Sequence, residues 1–281
     1  MDRYAIDENF RTCIKNVLIK GNIKDKYLNS ILLTDNNMVK FKEAFTQENY
    51  FADLPKYNYE VYEQLGDLTI NKFIVNYIYH RYPQLCCSTC VKIVARLRIN
   101  YGSVDNLSVL SENLGFLPHI NAHITKDNKE KILEDVFEAF FGVVEKILDD
   151  HYTTGVGYAF CYNILENIFN ELPISLEYYD LYDSKTILKE LFQRDERLKE
   201  FTHVFEYNKY NSTGKIKIKK NIHNRSIGAD LFSDNQEIAR GTGTDKKKTE
   251  QQTCKNALIF LKSVHNIMPV IPTEYITFCN Y

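Results

Sequence analysis

Tyr59–Ile70 reads YEVYEQLGDLTI, and Lys131–Leu148 reads KILEDVFEAFFGVVEKIL. The fold turns on these two stretches. Both have helical spacing, and both set carboxylates among apolar residues. In the first, Glu60, Glu63 and Asp67 stand at i, i+3 and i+7, one face of a helix. In the second, Asp135 and Glu138 stand at i and i+3, beside Phe137, Phe140 and Val144. Like charges buried together are costly unless a cation lies between them. A divalent metal suits an all-oxygen donor set, Mg²⁺ or Mn²⁺ best. Gly66 sits inside the first stretch. A glycine within a helix costs about 1 kcal/mol against alanine, so this one points to close packing or backbone approach.

The chain has 281 residues, of which 44% are apolar. That is enough for a globular core in one large or two ordinary domains. No apolar run approaches the roughly 20 residues of a membrane span. The start, MDRYAIDENFRTC, is polar and acidic, which excludes a secretory signal. The seven cysteines form no secreted framework. Together these features predict a reducing, intracellular location, the cytoplasm (a host's, if the chain is viral). Richness in Asn, Lys, Ile and Tyr suggests an AT-rich genome, and a large DNA virus is among the candidates. The net charge of −2 conceals an asymmetry. Residues 183–263 carry 17 Lys and Arg against 11 Asp and Glu, a net of +6, whereas residues 1–182 carry a net of −7. An acidic front and a basic back point to two modules, the basic one suited to a polyanion.

Along the chain, helices are predicted over 5–20, 26–33, 38–46, from 59 to about 82, over 88–100 with Ser88 as its cap, over 105–114 ending at Gly115, and over the second acidic stretch and 157–171. Pro173 ends this all-α block. The character then changes. A helix at 184–194, capped by Asp183 or Ser184, is followed by alternating patterns at Lys215–Lys220, Ile227–Phe232 and Gln236–Gly241, then a helix at 246–263. The predicted order is α-β-β-β-α.

The two acidic stretches resemble the ribonuclease III family. YEVYEQLGDLTI is similar to its signature helix, usually written NERLEFLGD, and KILEDVFEAFFGVV to its partner helix. FKEAFTQENY resembles the family's earlier L-x-x-A-L-T-H-x-S segment. The resemblance implies a metal set of Glu63, Asp67, Asp135 and Glu138, with Asp67 and Glu138 catalytic and Glu60 an accessory acid. Lys131 falls where some members, notably Dicer-type domains, keep a lysine near the scissile phosphate. The implied activity is Mg²⁺-dependent (Mn²⁺ possible) endonucleolytic hydrolysis of double-stranded RNA. Its products carry 5′-phosphates and short 3′ overhangs, cut by a homodimer that pairs two sites.

Residues 183–263 resemble a double-stranded RNA-binding domain. The family's G-x-G-x-S-K-K-x-A-E reads here Gly241-Thr-Gly243-Thr-Asp245-Lys246-Lys247-Lys248-Thr249-Glu250. Lysines at a helix N-terminus combine charge with free N–H groups and the positive end of the dipole, which suits a phosphate. Taken alone, such a run is more often a solvated helix start. By position, Glu190 and Gln193 form the polar face of the first helix, and His223, four before Ile227, matches the minor-groove loop histidine.

The expected fold is therefore mainly α: an N-terminal helical extension (1–37), an all-α ribonuclease III-like catalytic domain (38–174), a linker (175–182), a small α-β-β-β-α double-stranded RNA-binding domain (183–263) and a tail (264–281). Several residues depart from the family pattern. Gln64 replaces the Phe that plugs into the partner subunit, Glu134 replaces a small residue before Asp135, and Gln47 and Asn49 depart from T-H-x-S. Residues 195–213 read as an insertion; were they to supply the first strand instead, the place of His223 would fall. Cys86, Cys87 and Cys90 near His80 lack the second ligand pair of a zinc site and read as thiols. The alternative function is a non-catalytic protein that binds and sequesters double-stranded RNA. An all-α metal phosphohydrolase acting on nucleotides would leave the basic module idle.

Overall fold

In the computed structural model, which describes residues 6–48, 50, 58–221, 231–273 and 275, helices fill the chain as far as Asn170. They are α1 (Glu8–Leu18), α2 (Asp25–Tyr27, continued by a wider turn through Leu32), α3 (Asp35–Ala44), α4 (Glu60–Arg81), α5 (Val91–Tyr101), α6 (Val104–Asn113), α7 (Lys129–His151) and α8 (Val156–Asn170). A short α9 (Tyr178–Leu181) and α10 (Ser184–Arg194) precede the strands β1 (Phe201–Asn208), β2 (Thr213–Lys220) and β3 (Glu237–Thr242), and α11 (Lys246–His265) follows them. The chain divides into two compact units, the first ending at Ile174 and the second beginning at Ser175.

The first unit is built around α7. Every residue from Ile132 to Val144 is buried, as a helix apolar on all sides requires. α3, α4, α6 and α8 pack around it. Aromatic contacts carry the core outward from α7: Phe140 meets Phe116 at 5.3 Å between ring centroids, Phe116 meets Phe45 at 4.9 Å, and Phe45 meets Phe10 of α1 at 5.2 Å. Each such ring contributes about 2–3 kcal/mol by leaving water. Phe10, Ile14, Val17 and Leu18 thus belong to the same core as the acidic helices.

α4 and α7 cross at backbone distance. A Cβ on Gly66 would fall on the carbonyl of Glu138, and one on Gly142 would fall on the carbonyl of Tyr62. Each helix therefore offers a glycine to the other's backbone, which is the close approach expected of Gly66. Beside the crossing, the Thr69 hydroxyl hydrogen-bonds the Glu145 carboxylate. The Tyr59 N–H donates to the Thr46 carbonyl at 3.0 Å and ties down the start of α4.

The second unit is a three-stranded antiparallel sheet in the order β1-β2-β3, with α10 and α11 on one face. Ile216 and Ile218 of β2 point into its core with Leu188, Leu191 and Leu261, while Lys215 and Lys217 on the other face each pair with Glu206 at 3.1 Å. The α-β-β-β-α order stands, but two strands are placed differently from the sequence reading. β1 lies inside 195–213, the expected insertion. Its inward residues are Phe201, His203 and Phe205, and an inward histidine beside Val204 on the other face hides the alternation. Of the strand expected at 227–232, residues 227–230 lie outside the described residues, and Leu231 and Phe232 are not in a strand. Ser88 does not cap α5; it opens a single 3₁₀ turn, Ser88–Cys90, that leads into it. Beyond α11, Ile267 and Tyr275 are buried in this unit.

Gly66→Ala is expected to lower stability by about 3 kcal/mol or more, because rigid backbone must yield on both helices. Calorimetry of the variant checks this; a melting temperature equal to that of the native chain would refute the backbone contact.

Candidate active site

The crossing brings carboxylates of both helices together. Glu63 of α4 and Asp135 and Glu138 of α7 each turn an oxygen into a cluster whose members lie within 4.8 Å of one another. Asp135 and Glu138 are only 5% and 4% exposed. α7 buries them because it is wrapped on every side, and the Gly66–Glu138 contact fixes their height against α4.

Two residues that the sequence reading did not place in the site also belong to it. Glu134 is 7% exposed, and its charge acts on Glu138. Tyr59, buried at the start of α4, faces Asp135; burial and then that carboxylate push its hydroxyl pKa up. Glu134 was visible in the sequence as a departure before Asp135, but the spacing alone did not turn it inward.

Lys131 supplies the local cation. Its ammonium lies 2.6 Å from Asp135 Oδ1, 2.7 Å from Glu134 Oε2 and 3.5 Å from Glu63 Oε1. Burial works against its charge, but Asp135 and Glu134 hold it well above the ordinary lysine range. This single ammonium is shared by Glu134, Asp135 and Glu63. One exposed ammonium does not satisfy this many oxygens. An all-oxygen cluster of carboxylates that outnumber the one ammonium among them fits a hard divalent cation.

Asp67 stands outside that three-carboxylate group. Its Oδ1 accepts from Asn71 Nδ2 at 2.6 Å, and Asn71 Oδ1 in turn accepts from Arg98 of α5 at 2.9 Å. The helical spacing was right; the Asn71–Arg98 brace that engages the carboxylate was not legible. Asp67 still raises the pKa of Glu138 through space. Glu60 is exposed at the rim, its carboxyl shifted up first by partial burial and then by Glu48 and Asp135.

The cluster strains its own charges. Burial first, then Glu134 and Asp67, push the Glu138 carboxyl up to about 9. Burial and then Asp135 push Glu63 to about 7, against the pull of Lys131. Such displaced carboxyls in one cleft are a mark of functional sites.

The residues expected to bind RNA are spread over the second unit. Lys246, Lys247 and Lys248 are exposed in the first turn of α11. Asp245 caps that helix and accepts the Lys248 N–H at 2.7 Å, so one N-terminal donor is already engaged. α10 is capped by Asp183, whose Oδ1 also accepts from Gln251 of α11 at 2.8 Å; the two helix starts are neighbours. Gln193 is exposed, but Glu190 is engaged by the Tyr178 hydroxyl and Arg194, both at 3.3 Å. His223 lies outside the described residues. With β1 at Phe201–Asn208, it falls between β2 and β3, not in the turn between β1 and β2, so the register that placed it is lost. His80 does not join the cysteines; its Nδ1 meets the Tyr162 hydroxyl at 2.9 Å.

A helical unit with a carboxylate cluster at a glycine-closed crossing, followed by a basic α-β-β-β-α unit, defines a class of nuclease. Sequence comparisons with known proteins agree. Residues 60–145 match the Ribonuclease III domain. The chain is 34% identical, over 96% of its length and 93% of the relative's, to a ribonuclease 3 of Invertebrate iridescent virus 6. It is 27% identical to the ribonuclease 3 of Lactococcus lactis over 84% of its length and 96% of that protein's. A solved nuclease domain of ribonuclease III from Campylobacter jejuni overlays 60% of the chain and 99% of that domain, with a TM-score of 0.44 at 20% identity. The chain belongs to the ribonuclease III family.

Glu138 gives a pH test. Unfolded, its carboxyl titrates near the usual ~4.3. Folded, it titrates near 9. Between these values the folded state holds the extra proton, so stability falls as pH rises through the interval. In metal-free buffer Glu138→Gln removes that penalty and is expected to raise the melting temperature by a few degrees at about pH 8.5 and by little at about pH 5. A gain that does not grow with pH would contradict the burial of that charge.

Proposed function

We propose that the chain is a divalent-metal-dependent endoribonuclease that hydrolyses double-stranded RNA. The observation that carries this reading is the cluster of Glu63, Asp135 and Glu138, drawn together from two helices with Asp135 and Glu138 buried. Those three carboxylates would hold the ion, with Asp67, braced by Asn71 and Arg98, adding charge beside Glu138. Bound there, Mg²⁺ or Mn²⁺ supplies a Lewis acid that activates water and takes up charge developing on a phosphodiester. The chain's own part is electrostatic and positional. The wrapped face of α7 keeps bulk water from the carboxylates, and the Gly66 contact fixes their spacing. Lys131, more exposed than the carboxylates it touches, is placed to meet a phosphate oxygen once a metal relieves it of Asp135 and Glu134. Glu60 widens the negative rim. In the second unit, Lys246, Lys247 and Lys248 offer charge at a helix start to the phosphates of a duplex.

The test is cleavage of duplex RNA with Mg²⁺. Glu138→Gln removes a ligand charge but little volume. It is expected to lower the rate by about 10²–10³-fold, as removal of a key electrostatic group does, while duplex binding persists. Activity at the native level in that variant would refute the assignment. A native chain that binds duplex RNA and never cuts it would establish the sequestering protein instead.

We also propose that two copies pair along α4. Val61, Leu65 and Leu68 recur at i, i+4 and i+7 around Gln64 and remain exposed, Val61 and Leu68 by more than half (67% and 68%). An apolar stripe left in water on a helix that also carries the site suits a homodimer with paired sites. Gln64 itself is exposed on that face, so the aliphatic residues carry the contact. Leu68→Asp is expected to convert a dimer into monomers in sedimentation equilibrium. A native chain that sediments as a monomer, or a variant that stays dimeric, would disprove the α4 pairing.

A further inference from the structure

Away from the acidic cluster, the corner between α4 and α5 brings two cysteines together. Cys87 has extended backbone, with φ −144° and ψ 158°, directly before the 3₁₀ turn Ser88–Cys90, and Val91 then opens α5. The sequence Cys87-Ser88-Thr89-Cys90 thus places its first sulfur ahead of a helix start and its second on the turn that begins it. The sulfurs converge on shared partners. Thr89 Oγ1 lies 3.1 Å from Cys87 Sγ and 4.0 Å from Cys90 Sγ. Both thiols also reach the Gln84 carbonyl, at 3.8 and 4.0 Å. The thiol of Cys86 shares none of these contacts.

The two sulfurs differ in access and in acidity. Cys87 is exposed, whereas Cys90 is buried. Hydrogen bonds from Thr89 and then Cys90 hold the Cys87 thiol below its ordinary pKa. Burial pushes other thiols the opposite way, Cys13 to about 11 and Cys254 to about 12. An accessible cysteine with thiolate character beside a second, buried sulfur is the arrangement that favours exchange.

We propose that Cys87 and Cys90 form a reactive dithiol that a small-molecule disulfide oxidises to an intramolecular disulfide. The Cys87 thiolate attacks one sulfur of the oxidant; that S–S bond breaks and the departing thiolate takes a proton. Cys90 then gives its proton to solvent and attacks the Cys87 sulfur of the mixed disulfide, and the second small thiol leaves. The protein loses two electrons and two protons, and the oxidant becomes two thiols. The pair stands at the head of the helix whose Arg98 braces Asn71 beneath Asp67.

The experiment treats the full chain with oxidised glutathione, alkylates the remaining thiols and maps peptides by mass spectrometry. Native chain and Cys86→Ser are expected to yield the Cys87–Cys90 disulfide, and Cys90→Ser to retain glutathione on Cys87. Cys87→Ser is expected to form no disulfide within this segment. A disulfide in Cys87→Ser, made through Cys86, would overturn the assignment, as would a stable glutathione adduct on Cys87 of the native chain. A second measurement needs no variant: at neutral pH iodoacetamide is expected to label Cys87 several-fold faster than Cys86, and equal rates would also overturn it.

Discussion

The structure depends on one backbone contact between helices. Gly66 and Gly142 let α4 and α7 approach until each meets a carbonyl of the other. That distance sets where Glu63 faces Asp135 and Glu138. It also leaves Asp135 and Glu138 buried beside one another. The elevated pKa values of Glu138 and Glu63 follow from the same packing. So does the position of Lys131, drawn to the nearest uncompensated oxygens. The contact that builds the site therefore also loads it with electrostatic strain, and a bound cation would relieve that strain.

The surrounding core exists to hold α7 in the middle. The rings running from Phe140 through Phe116 and Phe45 to Phe10 link it to the first helix of the chain. The second unit solves its own problem by similar means. Gly241 and Gly243 let the start of α11 press against the end of β3, where a Cβ at either would collide with the backbone of Thr253 or Thr249. The glycines of the G-x-G motif are thus packing residues, and the lysines that follow stay in solvent because the helix they begin is pinned one turn further on.

Much of this was legible in the residues. Of the i, i+3 and i+7 set, Glu63 meets Asp135 and Glu138, and Gly66 announced a close contact. The α-β-β-β-α order was visible from alternation and a basic helix start. Other features were hidden for physical reasons. β1 turns a histidine, His203, inward between Phe201 and Phe205 and leaves Val204 on the opposite face, so its apolar-polar periodicity is weak without the sheet beside it. Glu134 looks like a surface residue until α7 is wrapped on every side. Asp67 has the right spacing, yet its carboxylate is engaged by Asn71, which Arg98 holds from another helix.

What the sequence determined by itself was the family, the two-unit order and the two helices that carry the carboxylates, because helical period and motif spacing are local properties. What only the tertiary structure decided was which oxygens meet, how deeply they are buried, and where the neutralising lysine sits. Those depend on how close two helices come. That distance is set by packing among α3, α4, α6, α7 and α8 together, and no single stretch of sequence contains it.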